Sequence, residues 1–213
     1  MPPAPETAAD GRSRLLAAAT HLIRDRGFAA TSVEAICREA GVTKGAFFHH
    51  FPSKDALGVA AADHWAAMTG QLFAAAPYHA PEDPLDRVLA YLAFRRALLT
   101  GAIHEFTCLV GTMVQEVHTS SPEIREACAR SITGHAATLE ADIDAARQRY
   151  GVGGDWTAAS LALHTQAVLQ GAFILAKAGQ GARIVADSLD HLTRYIEQLF
   201  DTPERRAKAA SQT

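Results

Sequence analysis

A chain of 213 residues and 22.7 kDa has room for one large domain or two small ones around a real hydrophobic core. Hydrophobic residues make up 48% and charged residues 20%, which excludes general disorder. The net charge of −3 gives no overall attraction for a polyanion, but its distribution is uneven: residues 12–54 hold seven Lys/Arg against three Asp/Glu, and residues 55–213 hold thirteen against eighteen. Three cysteines (Cys37, Cys108, Cys128) without a C-x-x-C pair exclude a disulfide framework and a zinc finger and fit a reducing cytosol.

In chain order, residues 1–11 are Pro/Ala-rich and acidic, lack an export signal, and are expected to be a disordered tail. Helical periodicity then dominates, and an all-α fold of about nine helices is expected. The first helix runs from about Arg12 to Arg26 and stops at Gly27. Thr31-Ser32-Val33-Glu34 scores as a capping box, Thr31 with Glu34, opening a second helix that ends at Ala40 before Gly41. A third, short helix spans Lys44 to about His50, and Ser53 caps a fourth that ends near Ala76. The proline-rich loop Pro77–Pro84 reads as a joint. Beyond it, helices are expected at Leu85–Thr100, Glu105–Thr119, Pro122–Tyr150, Asp155–Gly179 and Ala182–Asp201, followed by a polar, disordered tail over 203–213.

Trp156–Ala176 contains no Asp, Glu, Lys or Arg and is long enough to span a bilayer. Its Thr, Ser, His and Gln residues favour a buried helix at a core or subunit interface, so no membrane partner is expected. Val185, Leu189, Leu192, Ile196 and Leu199 recur at spacings of 4, 3, 4 and 3, a heptad-like seam that must pack against something.

Three short helices with a glycine-containing turn between the second and third describe a helix-turn-helix over residues 12–54. Gly41 supplies the positive φ that the turn needs, Val42 plugs the angle, and Thr43-Lys44-Gly45-Ala46 gives the third helix a polar N-terminus able to approach DNA closely. No glycine-rich phosphate loop, nucleophile elbow, H-E-x-x-H or paired catalytic carboxylate appears, so an enzyme is not expected. His104 and Cys108, four apart, would share a helix face. Together they leave open a thiol sensor of electrophiles or oxidants and, from another class, a small Cys/His enzyme. Two such groups fall short of a metal site, and no cofactor is expected.

The stretches Thr31-Ser32-Val33-Glu34-Ala35-Ile36, Ala40-Gly41-Val42-Thr43-Lys44-Gly45-Ala46-Phe47-Phe48-His49-His50-Phe51 and Ser53-Lys54 resemble the tetracycline-repressor (TetR/AcrR) family of transcriptional regulators. The resemblance implies a cytoplasmic homodimer that binds double-stranded operator DNA, most simply as a repressor released by a small-molecule effector. The DNA-binding head is followed by a ligand-binding and dimerisation domain over 55–202. Carried over by position, Thr31, Ser32, Thr43, Lys44, Gly45, Ala46, Phe47, His49, His50 and Lys54 are candidate DNA contacts. The family usually has Tyr where Phe48 stands and Ala where Cys37 stands. Candidate effector contacts are His64, Trp65, Met68, Phe94, His104, Cys108, Met113, His164 and Phe173. The resemblance places the dimer bundle on the last two long helices, with Leu161, Val168, Val185, Leu189, Leu192, Ile196 and Leu199 as candidate interface residues.

Overall fold

The computed structural model describes residues 8–211, all helix and connecting turn with no strand among them. The helices are α1 (Ala8–Arg26), α2 (Val33–Ala40), α3 (Lys44–His50), α4 (Lys54–Ala74), α5 (Pro84–Ala97) and α6 (Ile103–Phe106). They continue with α7 (Leu109–Val117), α8 (Pro122–Ala137), α9 (Glu140–Arg149), α10 (Ala158–Leu175), α11 (Gly181–Leu199) and α12 (Pro203–Ser211). The helices form two compact units, one made of the residues to Gln71 with Thr107–Ile132, the other of Leu72–Phe106 with the residues from Thr133.

The first unit differs from a head confined to residues 12–54. Leu15, Leu22, Ile23, Ile36, Phe47, Phe51 and Leu57 pack in one core with Leu109, Val110, Met113, Ile124 and Cys128 from α7 and α8. The turn between α2 and α3 forms as its residues require. Gly41 adopts φ 65, ψ 34, its N–H donates to the Arg38 carbonyl, and the Val42 N–H donates to the Cys37 carbonyl at 3.0 Å. The first helix already includes Ala8, earlier than expected, and residues 1–7 of the expected tail lie outside the described residues.

In the second unit, α10 and α11 form a hairpin through a five-residue π turn, Ala176–Gln180, whose reversal uses positive φ at Gly179 and Gly181. Val185, Leu189, Leu192 and Ile196 are buried on α11, and Leu161, Thr165, Leu169 and Phe173 on α10. Three expected elements divide or change. Glu105–Thr119 becomes α6 and α7, separated at Thr107-Cys108. Pro122–Tyr150 breaks at Thr138-Leu139, where both amides donate three residues back, to His135 and Ala136. The expected disordered tail contains α12, where Pro203 takes the first helical position and Thr202 accepts from the Arg205 amide. Arg205 also pairs with Asp86 at 2.7 Å.

Candidate nucleic-acid interface and effector region

Helix α3 is short, and its two faces differ sharply. The Thr43 hydroxyl caps it by accepting from the Ala46 amide at 3.1 Å. Thr43, Lys44, Gly45, Phe48 and His49 are exposed, and Ala46 and His50 are half-buried. This strip is narrow, polar at its N-terminal end, and small enough at Gly45 and Ala46 for close approach to a groove.

Two candidate contacts face inward. Phe47 is 0% exposed, because position 47 lies one turn before Phe51 on the core side of α3, so it belongs to the core and not to the DNA-facing set. Phe48, 49% exposed, takes the outward place and meets Phe47 edge-on at 5.2 Å. Thr31 is also buried, with its hydroxyl donating to the Gly27 carbonyl at 2.6 Å. It is therefore neither the helix cap nor a surface donor. Ser32 caps α2 instead, accepting from the Ala35 amide at 3.1 Å, and remains exposed.

The two lysines differ in their surroundings. Lys44 pairs with Glu34 at 2.6 Å across the α2–α3 angle. The hydrogen bond from Lys44 holds the Glu34 carboxyl below its ordinary range, and the same bond raises Lys44. Lys54 lies 4.4 Å over the Phe28 ring and donates to the Ala29 carbonyl at 3.4 Å, and burial pushes its pKa down. A cation at the start of α4 thus has a partner within the fold. His50 packs over Gly11 of α1, where a β-carbon would come within 3.0 Å of its Nε2. Two residues from outside the head brace it: the Glu116 carboxylate accepts from the Ala29 amide at 2.7 Å, and Arg24 donates to the Thr107 carbonyl at 2.8 Å.

The candidate effector residues divide between the units. His64, Trp65, Met68, Cys108 and Met113 belong to the first, and Phe94, His104, His164 and Phe173 to the second. His64 and Met68 are exposed, Met113 is fully buried, and Trp65 is covered by the Arg24 guanidinium at 4.7 Å. His164 is exposed beside Tyr195 at 5.6 Å, so it faces outward and not into an interior site. His104 and Cys108 occupy no common helix, because α6 ends at Phe106 and α7 begins at Leu109. The shared face expected of them is absent. Cys128, on α8, is 0% exposed, and burial raises its thiol pKa to about 12. Burial raises Cys37 as well, while Cys108 is half-buried.

The seam residues are also reassigned. Val185, Leu189, Leu192 and Ile196 pack into their own protomer, as does Leu161, while Val168 and Leu199 are half-buried. Heptad spacing identified a buried stripe, but spacing alone cannot say which chain buries it. The outward apolar residues of the hairpin are Leu163, Ile174, Leu175 and Tyr195, each 45–48% exposed.

A cluster of which the sequence pointed only to Phe94 lies in the second unit. Phe73 contacts His135, Phe94 and Tyr91 at ring distances of 4.5, 5.5 and 5.8 Å, and Tyr78 joins Tyr91 at 5.4 Å. The Tyr91 hydroxyl lies 2.9 Å from His135 Nε2 and accepts from the Gln166 amide at 3.2 Å. Burial, then the Arg95 charge, depress His135 to about 4. His135 is 44 residues from Tyr91 in the chain, a separation at which no local motif operates.

A family model of bacterial regulatory proteins, tetR family, matches residues 15–61, and a tetracyclin repressor-like C-terminal domain model matches residues 84–192. The chain belongs to the TetR family. As a member of that family it is a ligand-responsive, DNA-binding transcriptional regulator. It is 29% identical over 143 residues to the HTH-type transcriptional repressor NemR of Escherichia coli (strain K12), covering 66% of this chain and 71% of NemR. The reduced form of E. coli NemR superposes with a TM-score of 0.77 at 25% identity, over 91% of this chain and 98% of that one. A transcriptional regulator from Saccharomonospora viridis, solved in complex with choline, gives 0.74 at 25% identity, over 89% and 96%. This TetR-family chain therefore has helix-turn-helix regulators as its relatives by both sequence and fold.

Proposed function

We propose that this TetR-family protein is a repressor that reads operator DNA with the exposed strip of α3 and leaves it when a small molecule occupies the second unit. The observation that carries the reading is the geometry of α2 and α3. A left-handed Gly41 turn presents the N-terminus of α3, with Thr43, Lys44, Gly45, Ala46, Phe48 and His49 outward, as a major-groove reader requires. Base-edge contact falls to Lys44 and to the apolar edge of Phe48, which suits a thymine methyl. Ser32, His50 and the capped N-terminus of α2 are placed for phosphate.

Recognition by two such heads calls for a homodimer. The outward face of α10 and α11, with Leu163, Ala167, Ile174 and Tyr195, is the surface we assign to it. The work is done in the cytoplasm, where the chromosome is. NemR is a repressor by name, and the S. viridis relative was solved with a small molecule, choline, which supports the repressor and effector halves of the reading.

The test is a gel shift with the protein's own upstream DNA against a scrambled duplex, repeated across salt concentration. Saturable binding preferring the upstream DNA, with log K falling linearly in log salt, is the expected result. Equal binding to both duplexes at every salt concentration would defeat the operator reading.

A further inference from the structure

The first turn of α2 carries a carboxylate on the groups that an approaching DNA backbone would use. Glu34 pairs with Lys44 at 2.6 Å, and the two side chains are 62% and 58% exposed, so the pair lies on the outer surface of the head. The Ser32 oxygen accepts from the Ala35 amide at 3.1 Å, which leaves its hydroxyl proton to donate, and that proton goes to Glu34. The amide of Glu34 itself, a first-turn N–H with no partner along the helix, also bonds the carboxylate. The Lys44 hydrogen bond first, then that amide and the Lys44 charge, hold the Glu34 carboxyl below its ordinary range.

A cation, a hydroxyl and a helix N-terminal amide converging on one oxyanion are the donor set by which proteins hold a phosphate. Here a residue of the protein fills that place. The helix alone does not force the choice. Arg38, four residues on and exposed, is the partner that α2 offers Glu34, yet it makes no ion pair among the described residues. Other cations of the head are engaged by the fold: Lys54 by Phe28 and the Ala29 carbonyl, Arg24 by Trp65 and the Thr107 carbonyl. Lys44 is different, because its partner lies on the outer surface beside the reading strip. The cation at the start of that strip is thus neutralised before DNA arrives.

We propose that Glu34 is a built-in competitor of DNA, a carboxylate seated where a backbone phosphate is to sit at the junction of α2 and α3, and that DNA binding displaces it. This rests on reading the α3 strip as the DNA-facing surface, and it adds to that reading a residue that lowers affinity. An exposed ion pair is weak and exchanges readily, so a phosphate delivered by the rest of the interface takes over Ser32 and the α2 amide, while Lys44 turns to a base edge. Glu34, already more than half exposed, swings into solvent. Its displacement is required of every duplex, so Glu34 holds down binding to DNA of any sequence.

The test measures dissociation constants of the full-length protein for labelled upstream DNA and for a scrambled duplex, by fluorescence anisotropy at one salt concentration. Glu34→Gln keeps the side-chain length, removes the charge, and is expected to tighten both duplexes about three- to tenfold. Lys44→Gln should weaken binding, and adding Glu34→Gln to it should give a clearly smaller gain than on the wild type, because the competitor acts through the cation it covers. Unchanged or weaker binding by a cooperatively melting Glu34→Gln overturns the proposal. So does a gain undiminished without Lys44, which would mark a general effect of one negative charge fewer. If Glu34→Gln does not melt cooperatively, Glu34→Asp, one methylene shorter toward Lys44, decides in its place with a smaller gain of the same sign. The two readings separate on the same data. A wild type that binds both duplexes alike defeats the operator reading, and the competitor stands if Glu34→Gln tightens both. A wild type that prefers the upstream DNA, with no gain in Glu34→Gln, defeats the competitor alone.

Discussion

Charging Ile196 and charging Ile174 should produce opposite failures. Ile196 is 0% exposed, inside its own protomer. Ile196→Asp forfeits about 1.5–3 kcal/mol of apolar burial and adds several kcal/mol for an unpaired carboxylate in the core. Against a typical total stability of about 5–15 kcal/mol, that is enough to remove the folded state. Ile174 is 48% exposed, so an Asp there keeps its charge in water, and the isolated protomer loses on the order of 1 kcal/mol. The effect falls on pairing. Leu163, Ile174, Leu175 and Tyr195 each hold back roughly half a side chain, worth about 1 kcal/mol apiece on burial, or about 8 kcal/mol over two copies. That sum is of the same order as the cost of association, about 4–15 kcal/mol, so burying two carboxylates at its centre should prevent a dimer. Sedimentation velocity and urea melts on the same samples check both halves. Ile174→Asp should sediment as a monomer with a cooperative melt, while Ile196→Asp should show no cooperative transition. A dimeric Ile174→Asp would place the interface elsewhere, and a cooperative, folded Ile196→Asp would show that the α11 stripe is not core.

Phe47→Ala should cost about 3–5 kcal/mol in urea denaturation, the loss expected of a buried aromatic, while a merely groove-facing Phe47 would cost little. Glu34→Gln should release Lys44 from its ion pair and steepen the salt dependence of DNA binding by about one unit in log K against log salt; an unchanged slope would show that the freed Lys44 neutralises no phosphate. Below pH 6.5 the unfolded chain takes up a proton on His135 that the folded one resists until about pH 4, so stability should fall as pH falls through that window, by about 3 kcal/mol at most. Thermal melts of His135→Gln should lose that slope. Mass spectrometry after iodoacetamide treatment of the native protein should find Cys108 labelled first, with Cys37 and Cys128 protected until unfolding.

The parts that could be read from residues alone were those governed by local chemistry. Gly41 is the one residue type that sits easily at φ 65, and Thr43 three residues before Ala46 can cap only the helix beginning at Lys44, so the reading head was legible almost to the residue. The same logic erred by one step at α2, where Thr31 and Ser32 are adjacent and both able to cap. A contact with the Gly27 carbonyl, outside any local pattern, decides for Ser32. Pattern also stops short of partner identity. The Val185–Ile196 stripe was recognised as buried, but its burying surface comes from within the protomer, from α10 beside it in the hairpin and from α5 far back in the chain. His135 had no sequence signal at all, since its meaning lies in burial and in a bond to Tyr91, 44 residues away in the chain. The helix α12 was available in the Thr202-Pro203 pair, a cap with a proline at the first helical position, and was obscured by the polarity of Glu204, Arg205 and Arg206.

The entry of Thr107–Ile132 into the first unit limits how this regulator can be recombined with others. Leu109, Val110, Met113, Ile124 and Cys128 are interior neighbours of Phe47 and Leu57, yet they are encoded far downstream of them. A hybrid that borrowed only residues to 71 would inherit the reading strip of α3 but a hollowed interior. It would also lack the carboxylate of Glu116 that steadies Ala29. Specificity here is not a cassette: transplanting it means carrying two separate stretches of chain and rejoining the host sequence at three seams.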